Sequence, residues 1–209
     1  MKRREFLQAA GVGLTVSAVA APAIAQSMPE LKWRLTASWP KSLDTLYGGC
    51  EYFARRVAEM TDNRFQIQVF AAGEIVPGLQ VLDAVQKGTV EMGNTALYYY
   101  WGKDPAFTFG TALPFGLNAR QMNSWLRFGG GSELLNELLQ NFNCIGVAAG
   151  NTGAQMGGWF RKEIKSVDDL KGLKMRIGGF AGTILAKLGM VPQQLAPPAT
   201  SIPRSRRAR

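Results

Sequence analysis

The sequence contains no histidine and only two cysteines among its 209 residues. Histidine is the commonest general base near neutral pH and the commonest metal ligand, so its absence excludes Ser-His-Asp hydrolase triads and His-ligated zinc sites. The sequence also lacks a Gly-x-Ser-x-Gly elbow, a phosphate-binding Walker loop and paired cysteines at metal-binding spacing. These absences argue against an enzyme.

The net charge of +9 is distributed unevenly. Residues 2–5 contribute +2 and the last six residues contribute +4, which leaves +3 for the rest of the chain. Lysine and arginine are scattered over that remainder rather than clustered. Because nucleic-acid binding needs a concentrated basic surface, we predict no nucleic-acid partner.

The first 25 residues have the organisation of an export signal. Residues 2–7 read KRREFL, an uncharged run extends from Ala9 to Ala21, and Ala23-Ile-Ala25 is a typical cleavage site. The paired arginines favour the twin-arginine route. A membrane anchor is the alternative, but the apolar run is too short to span a bilayer comfortably. We therefore expect a twin-arginine signal peptide over residues 1–25 and a periplasmic location.

Cys50 and Cys144 both lie among apolar neighbours, in an expected helix and at the start of an expected strand. An oxidising compartment would permit a disulfide between them. Buried free thiols account better for their apolar surroundings, and we predict those rather than a disulfide.

Hydrophobic periodicity predicts an alternation of strands and helices along the chain. Runs with a period of two indicate strands, and runs with helical spacing indicate helices. This alternation of strands and helices predicts an α/β fold with right-handed crossovers and a mostly parallel sheet. The expected strands are 31–37, 65–70, 89–97, 144–149 and 173–177, and the expected helices are 43–60, 79–86, 119–128, 133–141 and 183–188.

Four consecutive aromatic residues, Tyr98 to Trp101, follow the third expected strand. An open parallel sheet binds ligands beyond the carboxyl ends of its strands, so these side chains can line a cleft. They can equally pack in the core. We select Tyr99 and Tyr100 as candidate substrate-binding residues.

Arg176 ends an apolar strand that is followed by Gly178 and Gly179 and then by a helix. A guanidinium beside the free N–H groups of a helix start suits a carboxylate, because it offers a planar bidentate fork. The alternative is a surface arginine in a strand–turn–helix. The carboxylate interpretation predicts a binding site for an organic acid.

Several segments, in order, resemble one family. LTASWP, AGEIVPGLQVLDAVQKGTVEMG, the aromatic run and SVDDLKGLKMRIGG are similar to the extracytoplasmic solute-binding proteins of tripartite ATP-independent periplasmic (TRAP) transporters, above all to 2-oxo acid binders. The resemblance covers residues 28–196. It implies a periplasmic-binding-protein-like fold of two α/β domains with a ligand cleft between them, here 26–125 and a partial 126–196.

The resemblance also implies roles for residues and partners. Arg176 would pair with the substrate carboxylate, and Gln155 would bind substrate and ligate a cation such as sodium or calcium, with no other cofactor required. The implied function is periplasmic capture of a small organic acid anion, a 2-oxo acid, for delivery to membrane permease subunits, and full-length relatives can form homodimers. The alternatives are a soluble carboxylate-binding sensor domain and an enzyme acting on an organic acid.

The chain departs from the family pattern after Ala196, where it reads PPATSIPRSRRAR. Family members continue there with a segment similar to AGGDIYPALEKG, and a shifted reading frame can encode it. We expect residues 197–209 to be a frameshift product, an aberrant and disordered basic tail, and the second domain to be incomplete and the chain prone to aggregation.

Overall fold

The structure is a computed structural model that describes residues 29–155 and 157–194. The predicted signal peptide and the predicted aberrant tail lie outside the described residues. Within them, the predicted α/β fold is confirmed: short parallel sheets are connected by helical crossovers. The domain boundary at residue 125 stays a prediction.

The larger sheet has three parallel strands, and β1 lies between the other two. Leu35 of β1 pairs with Val69 on one side and with Met92 on the other. The sheet consists of β1 (Leu31–Ala37), β2 (Phe65–Phe70) and β3 (Met92–Asn94). β1 and β2 match their predicted bounds. β3 is shorter than predicted because the chain turns into a 3-10 helix, Leu97–Tyr100.

Within residues 29–155 and 157–194, five α-helices accompany the strands. Tyr47, Cys50 and Ala54 form the buried stripe of the first helix, at the spacing that places residues on one helix face. The third helix begins with a capping box, in which Asn118 and Gln121 bond reciprocally to each other's backbone N–H groups. The helices are α1 (Asp44–Met60), α2 (Val81–Gln86), α3 (Ala119–Phe128), α4 (Gly131–Gln140) and α5 (Gly179–Lys187).

The hydrophobic core lies against β1 and extends toward the carboxyl end of the sheet. Helix α1 covers it from one side. Tyr99, Tyr100 and Phe107 extend it beyond the ends of the strands. These three aromatics come from two 3-10 helices, Leu97–Tyr100 and Pro105–Gly110. The core therefore continues directly into the region where the site residues lie.

The smaller sheet pairs β4 (Lys174–Arg176) with β5 (Val191–Gln193) in parallel, and α5 is the crossover between them. A 3-10 helix, Val167–Leu170, precedes β4, and Ser166 and Asp169 form a capping box at its start. Helix α5 begins four residues earlier than predicted. Gly189 follows it with a φ of +86°, the left-handed conformation that ends many helices.

The predicted strand at 144–149 is wrong. Cys144 to Ala149 have no regular secondary structure, and the side chains of Ile145 and Val147 are 85% and 91% exposed. A strand needs a neighbour for its N–H and C=O groups, and no described strand pairs with this segment. No helix in the described ranges is both long and apolar enough to cross a membrane.

Candidate functional site

Arg176 is the last residue of β4, where it pairs with Gln193 of β5. The backbone N–H of Ile177 donates to the carbonyl of Gln193 at 3.0 Å, so the strand pairing fixes the backbone beside the arginine. Gly178 then caps α5, as the predicted strand–glycine–helix order requires. The structure thus holds the predicted anchor at a strand end beside a helix start.

The aromatic segment, defined here as Leu97 to Trp101, packs against this helix start. Trp101 and Phe180 have ring centroids 5.4 Å apart. A Cβ atom at residue 179 would lie 3.2 Å from the carbonyl oxygen of Tyr98, and Gly179 has a φ of +61°. Glycine is required at this position for two reasons, because the contact is close and the backbone is left-handed.

Of the two predicted tyrosines, Tyr99 is the one that contacts Arg176, and Tyr98 also interacts with the guanidinium. The Tyr99 hydroxyl accepts a long hydrogen bond of 3.4 Å from Nη2 of Arg176. The backbone carbonyl of Tyr99 accepts a second bond, of 2.9 Å, from Nε2 of Gln194. Arg176 of β4 and Gln194, the residue after β5, therefore hold Tyr99 at its side chain and at its backbone.

Tyr100 has a different environment. It is 2% exposed, and its hydroxyl accepts from the backbone N–H of Leu82 at 3.1 Å. The same hydroxyl lies 2.9 Å from Oγ1 of Thr95, and the ring packs on Phe107. The structure therefore places the Tyr100 hydroxyl in the core of the larger sheet and not beside Arg176.

Gln155 lies in an exposed segment without regular secondary structure. Its side-chain Nε2 donates to Oγ1 of Thr152 at 3.1 Å. This bond uses the amide nitrogen, and a cation would take the amide oxygen.

The described residues do not by themselves make a cation site. Calcium takes six to eight oxygen ligands. Gln155 offers one neutral oxygen, and no group of three or more Asp, Glu, Cys or His side chains in the described parts of the chain is placed to hold a metal.

Trp39 and Asn94 were missed by the sequence interpretation. The indole N–H of Trp39 donates to Oδ1 of Asn94 at 2.5 Å, and its ring lies 6.0 Å from that of Tyr99. Asn94 ends β3, and Trp39 is the second residue after β1. Their positions just at or after the carboxyl ends of parallel strands were the available signal.

The electrostatics keep the guanidinium positive and the phenol neutral. Burial raises the pKa of Tyr99, Tyr98 raises it further, and Arg176 acts in the opposite direction. For Arg176, burial acts to lower the pKa, but the neighbouring Tyr98 and Tyr99 outweigh it and the pKa is raised. Since Tyr99 carries no negative charge at physiological pH, it does not cancel the charge of Arg176.

Two shallow concavities lie elsewhere, along α3. The larger, of about 390 Å³, is lined by Arg120, Arg127 and Phe128 among others, and the smaller, of about 180 Å³, by Leu126 and residues 148–151 among others. None of the predicted site residues lines either of them. We therefore place the candidate site where Arg176, Tyr99 and Gln194 meet, and not in either of these concavities.

Comparison with known proteins gives a consistent family assignment. Residues 36–200 match the family described as bacterial extracellular solute-binding protein, family 7. The chain is 55% identical to the monocarboxylate 2-oxoacid-binding periplasmic protein of Nostoc sp. over 93% of its own length. It covers 55% of that relative.

Solved structures of TRAP transporter solute-binding proteins have the same fold. One from Bordetella bronchiseptica, with calcium and picolinate, is 52% identical with a TM-score of 0.78. Another from Pseudoalteromonas atlantica, with bound sodium and pyruvate, is 42% identical with a TM-score of 0.77. Each match covers 80% of this chain and 50% and 51% of the respective structures, so the chain spans about half the length of the proteins it matches.

Proposed function

The chain belongs to family 7 of the bacterial extracellular solute-binding proteins, and from this premise we propose that it binds a 2-oxo acid outside the cytoplasm for delivery to a TRAP transporter permease. Members of such a family bind a solute and release it unchanged. We therefore propose a binding protein rather than an enzyme. A sensor domain with the same binding chemistry would differ only in its partner.

The observation that carries this proposal is the pairing of Arg176 with Tyr99. A charged guanidinium can bind both oxygens of a carboxylate through parallel N–H groups. The neutral Tyr99 hydroxyl, 3.4 Å from Nη2, fixes one side of the fork. Picolinate and pyruvate, bound in the two relatives, both carry a carboxylate next to a second electron-rich atom.

We propose that Gln155 contributes one neutral oxygen to a cation bound with the substrate. Sodium or calcium accompanies the ligand in the two solved relatives, and both prefer oxygen ligands. The remaining ligands would include the substrate itself. Tyr100 belongs to the support of the site, since its hydroxyl is bonded within the core.

The domain organisation is proposed on the same basis. Arg176 and Tyr99 lie on opposite sides of the predicted boundary between 26–125 and 126–196, so their contact would join the two walls of a cleft. Binding proteins with two such domains close on their ligands by hinge motion. Export by the twin-arginine route and assembly with permease subunits or as a homodimer are further parts of this proposal.

Replacing Arg176 by lysine tests the proposal. Lysine keeps the charge and loses the bidentate fork, so we expect pyruvate affinity to fall by about 1.5–3 kcal/mol, the contribution of hydrogen bonds to a charged group. Titration calorimetry with pyruvate and longer 2-oxo acids measures this on the whole chain. Lys174→Arg, two residues earlier on the same strand, is the matched control and should bind like the wild type.

Two results would contradict the proposal. If the Arg176→Lys chain binds pyruvate as tightly as the wild type, Arg176 is not the carboxylate anchor. If the wild type converts the 2-oxo acid to another compound, the protein is an enzyme and not a binding protein.

A further inference from the structure

Gln194, the residue after β5, contacts the aromatic segment 95 residues earlier in the sequence. Its Nε2 donates to the backbone carbonyl of Tyr99 at 2.9 Å. Its side chain also packs closely against Gly178, because a Cβ atom at residue 178 would lie 3.0 Å from Cγ and 3.1 Å from Cδ of Gln194. The absence of a side chain at Gly178 leaves the space in which the Gln194 amide reaches Tyr99.

The neighbouring glutamine makes a different contact. Nε2 of Gln193 donates to the carbonyl of Pro192, the residue before it, at 3.2 Å, and this bond is exposed. Of these two glutamines, only Gln194 therefore has a described side-chain hydrogen bond to the aromatic segment.

The bond to Tyr99 acts where the segment is weakly held by its own backbone. Leu97–Tyr100 is a single 3-10 helix, with hydrogen bonds of 3.1 Å from Tyr99 to Ala96 and 3.3 Å from Trp101 to Tyr98. Hydrogen bonds of 3-10 helices have poorer geometry than those of α-helices. A side-chain donor to the Tyr99 carbonyl adds a restraint at the residue whose hydroxyl meets Arg176.

We propose that Gln194 is a positioning residue of the carboxylate site, which acts through the backbone of Tyr99 to hold the Tyr99 hydroxyl against Arg176. This inference rests on the proposed function of Arg176 and Tyr99. It adds to the site a residue that follows β5 and that acts through Tyr99 rather than on the substrate.

The test compares Gln194→Met with Gln193→Met. Methionine keeps the length of glutamine and removes the N–H donor. In the ligand-free protein, hydrogen exchange followed by mass spectrometry should be faster in residues 97–104 of the Gln194→Met chain. The Gln193→Met chain should exchange like the wild type. Equal exchange in all three chains would overturn the proposal.

Pyruvate affinity is the second measurement. We expect a loss of about fivefold in Gln194→Met, the effect of one net hydrogen bond, with an unchanged melting temperature. In a double-mutant cycle, Gln194→Met should add little to Tyr99→Phe, since both act on the same contact. Fully additive losses would show that Gln194 acts elsewhere and would overturn the proposal.

The two measurements separate this inference from the proposed function. If the wild type binds no 2-oxo acid, the proposed function fails. The exchange of residues 97–104 then still decides whether Gln194 holds the aromatic segment, because it is measured without ligand.

Discussion

At the scale of single residues, Tyr99 and Tyr100 show how adjacent identical side chains acquire different roles. In a 3-10 helix successive residues are turned by a third of a revolution, so neighbours face different directions. Tyr99 faces the smaller sheet and meets Arg176. Tyr100 faces α2 and bonds to the backbone N–H of Leu82.

Removing each hydroxyl in turn should separate binding from stability. Tyr100→Phe leaves the buried N–H of Leu82 without its acceptor, and we expect a loss of about 1–3 kcal/mol of unfolding free energy with unchanged pyruvate affinity. Tyr99→Phe should weaken affinity and leave stability nearly unchanged. Urea unfolding and calorimetry on both variants measure this, and the reverse pattern would contradict the assignment.

The sequence placed Arg176 at a strand end before two glycines and a helix, and the structure confirms that position, whereas its role as carboxylate anchor comes from the family resemblance and stays a proposal. The sequence did not distinguish the tyrosines. The choice between Tyr99 and Tyr100 depends on a 3-10 helix and on partners 77 and 18 residues away in the chain. No local pattern encodes such partners.

At the scale of elements, each predicted strand that has a neighbour is present and the one without a neighbour, 144–149, is absent, while β5, which pairs with β4, was not predicted. β1 and β2 alternate in sequence and pair along their length. The segment 144–149 is equally apolar, but no described strand lies beside it. Hydrophobic sequence alone indicates what an element prefers, and the partner decides whether it forms.

β3 is joined to β1 by an ion pair just before their ladder begins. The carboxylate of Glu91 accepts from the backbone N–H of Arg34 at 2.8 Å and from Nη2 of its guanidinium at 2.8 Å. The carboxylate therefore takes the place of a backbone acceptor next to the Leu35–Met92 pair.

This ion pair predicts a dependence of stability on acid pH. The hydrogen bond from Arg34 lowers the pKa of Glu91 to about 2, below the ordinary value of about 4.3. A carboxyl whose pKa is lower in the folded state stabilises the fold above the unfolded pKa, and the effect is lost as pH falls toward the folded pKa. The stability difference between wild type and Glu91→Gln should be full at pH 6 and shrink between about pH 4 and pH 2.

Urea unfolding of the wild type and of Glu91→Gln at several pH values measures this difference in unfolding free energy. The contributions of all other carboxyls cancel, because both chains share them. If the stability difference between the wild type and Glu91→Gln does not change with pH, the Arg34–Glu91 ion pair does not contribute as proposed.

At the scale of the whole molecule, the site and the core are continuous. Tyr99 belongs to the hydrophobic core cluster and also accepts the bond from Arg176. The same cluster includes Cys50, which is 3% exposed and lies in the middle of the buried α1 stripe. Ligand binding at Arg176 should therefore stabilise the packing that buries Cys50.

The two cysteines make this coupling measurable. Both are free thiols, Cys50 buried and Cys144 partly exposed, and burial raises the pKa of Cys50 to about 11. In a Cys144→Ser chain, a thiol reagent should label Cys50 only through unfolding. At 100 times the dissociation constant, pyruvate should slow this labelling about a hundredfold. The Arg176→Lys variant at the same pyruvate concentration should lose most of that protection. If pyruvate does not change the rate of Cys50 labelling in the chain with wild-type Arg176, the site and the core are not coupled.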